Sequence, residues 1–174
     1  MPILDNLEAL VDRCPGSVRP GLLALDVSKR AIGVAGADPS WQLATPVQTI
    51  RRRRWQQDLA ELKSVIEDRG AGALVIGLPL NMNGSEGPRC QSVRAFARQI
   101  DADLNLPILL WDERLTTFAA EEAADRAGLR GRKRDAAIDA LAAATILQDV
   151  LDALARAERQ ASIGAAVPPS PRPP

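Results

Sequence analysis

Short continuous apolar runs alternate along the chain with longer stretches in which apolar residues recur every three or four positions, and the change of period divides it into elements. "GLLALD" (21–26) and "AIGVAG" (31–36) are joined by "VSKR", a link short enough for a hairpin, and predict two paired strands. "WQLATPVQTI" (41–50) predicts a third, and its Pro46, with no N–H to give to a ladder, points to an edge or a bulge. From Trp55 to Arg69 the period becomes helical, with Leu59, Leu62, Val65 and Ile66 on one stripe and Gly70 as the stop. "GALVIGLP" (72–79) reads as a strand covered on both faces. A loop, "LNMNGSEG" (80–87), leads to a helix that starts at Pro88 and buries Val93, Phe96, Ala97 and Ile100. "LPILLWDER" (106–114) is the next strand and ends in acid. A helix over about 116–127 follows, capped by Thr116 or Thr117 and stopped by Gly128, and a long alanine-rich helix over about 135–158 closes the pattern.

The order β-β-β-α-β-α-β-α-α implies a mixed sheet, antiparallel where hairpins link the first strands and parallel where helices cross over. Length and apolar content suit one α/β domain over 20–160. Residues 1–19 form an N-terminal extension, an appendage with one short helix around residues 4–11. Residues 161–174 are rich in proline and small side chains, which bury too little surface to offset their ordering entropy, so a disordered tail is expected.

Composition then narrows the chemistry. The chain contains no histidine, which excludes Ser-His-Asp and Cys-His nucleophilic sites, histidine bases and most zinc sites. Cys14 and Cys90 have no second cysteine at metal-ligand spacing and form no disulfide framework. No apolar run reaches membrane-spanning length, and acids stand where a signal peptide carries basic residues, so a cytoplasmic protein with no membrane partner is expected. The 22 basic and 22 acidic residues cancel, which leaves nucleic-acid binding to local patches. Two such patches are "RRRRW" at 51–55 and "RGRKR" at 130–134, each equally compatible with a solvated charged surface. The second supplies Arg130, Arg132, Lys133 and Arg134 beside the start of the last helix.

The strands ending at Asp26 and at Asp112–Glu113 both deliver acids to their C-terminal ends, the edge of a parallel sheet at which ligands bind. Asp139 lies near the start of the last helix, with Asp135 four residues earlier on the same face. Converging carboxylates repel unless a cation neutralises them, and an all-oxygen set without histidine or paired cysteine suits Mg²⁺ or Mn²⁺. Such ions activate water and stabilise the leaving oxygen in phosphodiester cleavage. Each acid also has a plainer reading. Asp26 suits the start of a turn, Glu113 suits an ion pair with Arg114 or Arg134, and Asp139 and Asp135 suit a helix N-terminus. The loop 80–87 is compatible with a phosphate cradle or with an ordinary connection.

"LALDVSKRAIGVAGAD", "VIGLPLNMNGSEGP", "LLWDERLTTFAAEEA" and "KRDAAIDALAAATIL" occur in the order and with roughly the spacing of the YqgF family, which this chain resembles over about residues 20–152. The family is named for Holliday junction resolvases and pre-16S ribosomal RNA nucleases. The resemblance implies an RNase H-like fold, a five-stranded mixed β-sheet of order 3-2-1-4-5 flanked by α-helices. It also implies a catalytic and metal-binding set of Asp26, Glu113 and Asp139 with Mg²⁺ or Mn²⁺. Asp112 and Arg114 then flank the site, with Arg114 on a phosphate, and Lys29 and Arg30 lie beside the first aspartate.

Two features stand apart from that pattern. Ser28 occupies a position at which the family usually has glycine, so a side chain is expected in the path of a phosphate. Strands 1 and 5 of such a sheet are two spacings apart, about 9.5 Å, which Asp26 and Glu113 have to bridge. The expected function is a metal-dependent nuclease on structured nucleic acid, with pre-16S rRNA 5′-end processing ahead of junction cutting. Ribosomal particles are the expected partner of a monomer or homodimer. The rival classes are a non-catalytic nucleic-acid or ribosome-binding factor and a nucleotide-binding ATPase on the same core fold.

Overall fold

The computed structural model describes residues 3–4, 6–15, 18–114 and 122–165. Its centre is a mixed sheet. Strand β2 (Gly21–Val27) pairs antiparallel with β3 (Ala31–Ala37), which pairs antiparallel with β4 (Ala44–Arg51). On its other side β2 pairs in parallel with β5 (Ala71–Leu78), and β5 with β6 (Ile108–Asp112). These five strands stand in the order 3-2-1-4-5 that the resemblance implies. Pro46 sits on the edge strand β4, at a register shift where Val34 pairs with Gln48 but Ala35 with Pro46, so both sequence signals for that proline are realised.

Five strands are expected and the sheet has six. Strand β1 (Ile3–Leu4) pairs in parallel with β6 through Ile3–Ile108 and Leu4–Leu109, and helix α1 (Leu7–Arg13) follows it. The lead-in is therefore packed on the sheet: Leu4, Leu10 and Cys14 are buried in the core. Its hydrophobic residues are too few to form a core alone but enough to cover the outer strand.

Alternation along the strands sorts the core into two layers. On one face Leu22, Ala24, Ala35, Val75 and Leu109 pack under α1 and the long final helix α4 (Gly131–Ala165). On the other face Leu23, Leu25, Ile32, Leu74 and Ile76 pack under α2 (Trp55–Arg69) and α3 (Pro88–Leu104). The expected stripe of α3 is buried, as is that of α2 except that Ile66 is half-buried and Asp58 joins it, and Gly70 caps α2 in the left-handed conformation, φ 57°. Helix α4 begins and ends beyond the 135–158 read from its pattern, because Gly131 opens it and its last turns run past the sheet. Of the helix expected over 116–127, residues 122–126 are helical and 115–121 lie outside the described residues. The same holds for 166–174 of the expected tail, whereas 161–165 belong to α4.

Candidate active site

Because β2, β5 and β6 are parallel, their C-terminal ends share one edge, and Asp26 and Glu113 are both delivered there. Odd and even positions of β2 face opposite layers, so Asp26 follows Leu22 and Ala24 onto the α4 face. Glu113 continues β6: its N–H donates to the Leu78 carbonyl at 3.2 Å. Its side chain then leans back across β5, where a Cβ built on Gly77 would lie 2.3 Å from Glu113 Oε2. Gly77 is one step beyond the Leu25–Ile76 pair and so stands beside Asp26. The bare backbone there is what lets a glutamate on β6 reach toward an aspartate on β2 across the strand between them.

The third acid arrives on a helix. Helix α4 crosses β3 at Gly33, the residue paired with Asp26, so closely that a Cβ on Gly33 would lie 1.9 Å from the Asp139 carbonyl oxygen. Thr49 Oγ1 donates to the Ala136 carbonyl at 2.5 Å and ties the same helical turn to β4.

Burial and mutual repulsion set the charge state of this group. Asp26 is pushed up to about 6, by desolvation first and by the Asp139 charge second, with Arg89 opposing. Glu113 is pushed up to about 7, by desolvation and then by Asp26 and Asp112, against Arg89. Asp139 is raised by desolvation and by Asp135. Asp26 is thus the shared neighbour of the other two. Among the described residues no three acidic, cysteine or histidine side chains are already closed into a metal-binding cluster. The donors are all carboxylates, and each is held where its own charge is unfavourable; that chemistry fits a hard divalent cation. Asp112, one residue before Glu113, turns away and is held below its usual range by Arg114.

The expected basic residues divide. A groove of about 430 Å³ beside Asp139 is lined by Arg30, Arg51, Arg132 and Arg134 as well as Asp135. Arg134 also pairs with Asp125 at 2.9 Å. Arg114 is engaged elsewhere, its Nε 2.7 Å from Asp112 Oδ2 and its Nη1 donating to the Met82 carbonyl at 3.4 Å. It therefore braces the β5–α3 loop against the end of β6. Arg130 donates to the neighbouring Leu129 carbonyl at 3.1 Å, and Lys133 lies outside the groove lining. Gly131 starts α4, so the cations of "RGRKR" that follow it are wound around a helical turn, with Arg132 and Arg134 on the groove. Lys29 lines a different pocket, on the α3 side.

Residues 21–153 match the family described as RuvX: Holliday junction resolvase. The chain belongs to the RuvX family. This is the YqgF family of the sequence resemblance. A chain of Roseobacter denitrificans named "Putative pre-16S rRNA nuclease" is 50% identical over 133 residues, 75% of this chain and 82% of that one. One of Rhodospirillum rubrum with the same name is 48% identical over 157 residues, 90% of this chain and 96% of its own length. Among solved structures, RuvC of T. thermophilus in complex with a Holliday junction substrate aligns with a TM-score of 0.46 and 11% identity, over 78% of this chain and 96% of that one.

In this RuvX chain the serine at 28, where the family usually has glycine, is engaged by its own turn. Its hydroxyl donates to the Ala31 carbonyl at 3.1 Å and accepts from the Arg30 and Ala31 N–H groups at 3.3 and 3.1 Å, which folds it into the β2–β3 turn. Sequence reasoning passed over Gly33, Gly77 and Arg89, and held Arg51 only as part of "RRRRW". The two glycines carried a signal, since glycine inside an apolar strand marks a close approach of another group. For the arginines the sequence shows only that they are basic.

Proposed function

We propose that this RuvX-family chain is a divalent-metal-dependent nuclease that hydrolyses phosphodiester bonds in structured RNA, with precursor 16S rRNA as its substrate in the cytoplasm. One observation supports the reading most: Glu113 leans over Gly77 toward Asp26 at the parallel-strand edge, and the helical turn of Asp139 is seated against Gly33, the residue paired with Asp26, with Asp26 and Glu113 raised to about 6 and about 7. The names of the close relatives support RNA as the substrate.

In this reading Asp26, Glu113 and Asp139 hold Mg²⁺ or Mn²⁺. When bound, the ion neutralises the three carboxylates, polarises the phosphodiester and makes water a better nucleophile. Asp26 is rigid, fixed in the central strand of the sheet. Glu113 has the longer side chain, which crosses Gly77 and holds its carboxylate toward Asp26. Arg30, Arg51 and Arg132, along the groove beside Asp139, take the nucleic-acid backbone and set its register without reading bases. Burial at the carboxylates keeps bulk water from screening the charges that do this work. A ribosomal precursor particle, with folded RNA presented on a surface, is the natural partner for an open groove of this kind.

The test is cleavage of matched precursor-rRNA and four-way-junction substrates with Mg²⁺, Mn²⁺ or chelator, by wild type and Asp26→Asn. Metal-dependent cutting of the RNA by wild type, slowed at least about a hundredfold in a folded Asp26→Asn protein, is the expected outcome. Equal cutting by Asp26→Asn overturns the assignment, and cutting of the junction alone moves the substrate to DNA.

A further inference from the structure

On the other side of the β2 end from the Asp139 groove lies a separate pocket of about 230 Å³. Three cations enter it from three elements: Lys29 from the β2–β3 turn, Arg52 from the β4–α2 link, and Arg89 from the first turn of α3. Ser28 and Ser92 add hydroxyl-bearing residues to the lining, Val93 lies at its apolar side, and no carboxylate is among the lining residues.

Arg52 is held in place. Its guanidinium lies 5.4 Å from the Phe96 ring centre, donates to the Ser28 carbonyl at 3.1 Å and stands 3.8 Å from the buried Asp58. Among the described residues Arg89 makes no salt bridge, and its charge is felt at Asp26 and Glu113 beyond the pocket. Three cations converging on a concave site whose lining holds no carboxylate call for an anion. The N-terminal end of the 17-residue helix α3, where Gly87 offers no side-chain cap and no acid stands in the first turn, adds to the same field.

We infer that the pocket formed by Lys29, Arg52, Arg89, Ser28 and Ser92 binds a phosphate group of the nucleic acid next to the phosphate that is cut. The inference rests on the nuclease reading for the identity of that ligand. The geometry favours a neighbouring phosphate because Ser28 lines both this pocket and the Asp139 groove. Arg89 is also near enough to act on both Asp26 and Glu113. A backbone leaving the groove and crossing the strand ends therefore arrives here.

The phosphate comes either from the 5′ end of a strand or from an internal linkage. Amide shifts in ¹⁵N NMR spectra, recorded in chelator so that nothing is cut, separate the two. The probes are inorganic phosphate and a short single-stranded RNA carrying either a 5′-monophosphate or a 5′-hydroxyl. All three should shift the amides of Ser28, Lys29, Arg89 and Ser92, with tighter binding of the 5′-monophosphate if the end is the ligand and equal binding if a linkage is. Lys29→Gln with Arg89→Gln should weaken this binding by about tenfold or more, given the strength of charge-assisted contacts. Ser92→Glu, a change at an exposed helical position, should abolish it, and Arg69→Gln at the far edge of the sheet should not alter it. Shifts spread evenly over all basic residues, or unchanged in the double variant and in Ser92→Glu, overturn the inference. Since Asp26→Asn decides cleavage separately, phosphate binding that fails while Asp26→Asn still abolishes cutting removes the pocket and leaves the nuclease.

Discussion

The carbonyl of Asp139 fills the space that a side chain at Gly33 would need: a methyl group at residue 33 would lie 1.9 Å from that oxygen. The partner atom is backbone, so no rotamer change relieves the overlap. Helix α4 is seated on β3 at the residue paired with Asp26, and the depth of that seat sets how near Asp139 comes to the acid on β2.

Gly33→Ala should therefore push α4 off the sheet and destabilise the protein by about 3 kcal/mol in urea denaturation, the upper range for overpacking. Gly36→Ala is the matched control. Its added methyl would meet only Leu23 and Val47 side-chain carbons at 3.4 Å, and a change within about 1 kcal/mol is expected. Equal costs at the two positions would mean that the close seat at Gly33 is not what holds the helix.

Gly77→Ala acts on the other acid. The new methyl would come 2.3 Å from Glu113 Oε2 and 2.6 Å from Ile146 Cδ1, both movable side-chain ends. Cleavage should fall by about tenfold or more as Glu113 is displaced. Stability should fall by only about 1 kcal/mol, because the side chains can shift. A wild-type cleavage rate in this variant would show that Glu113 need not lie over β5.

Metal-free protein should become more stable as pH falls from about 7.5 toward 5. Asp26 and Glu113 titrate near 6 and 7 when folded and near 3.8 and 4.5 as free side chains, so the native state binds more protons than the unfolded chain in that window. Their cost is fully present above the folded values and is relieved as pH drops through them. Either group accounts for about 3 kcal/mol over its full titration, and the two are not additive because the Asp26 charge is part of what raises Glu113. Asp26→Asn should flatten the profile and raise the melting temperature at pH 7.5 in chelator. The opposite sign operates lower down. Asp38, held at about 2 chiefly by the N–H of Leu43 and the Ser40 hydroxyl, contributes stability above pH 3.8 that is lost as pH falls toward 2. Thermal melts across pH, with and without Mg²⁺, check both limbs; a flat wild-type profile between 7.5 and 5 would mean that the acids are not crowded.

Arg132→Ala should weaken RNA binding without regard to sequence and lower the salt slope by about 1, as for the loss of one phosphate contact. Lys133→Ala, outside the groove lining, should change the slope less. Anisotropy titrations across a range of salt read both. Equal effects would mean that the "RGRKR" cations act as a diffuse cloud.

Much of this protein is legible in one dimension. The periods of two and 3.6, the turn glycines and Pro88 place β2 to β6, α2 and α3, because each element is a local pattern with a buried face. The absence of histidine and the acids at strand ends already restrict the chemistry to carboxylates. Less legible are elements that depend on a distant partner. Ile3–Leu4 is a strand only because β6 offers an open edge, and α4 already begins at Gly131, with Thr49 bonded at Ala136 and the bare Gly33 seating it at Asp139. The fates of the arginines follow the same rule. Arg51 and Arg52 are adjacent in sequence yet line pockets on opposite sides of the sheet edge, and Arg114 is spent on Asp112 and the Met82 carbonyl. By itself the sequence determined which residue types were available and the strand ends that would carry them. Only the tertiary structure decided that Glu113 leans over a bare glycine toward Asp26 and that the helical turn of Asp139 is seated on Gly33, the partner of Asp26 in β3, since distances between residues remote in sequence depend on how closely two backbones can pack.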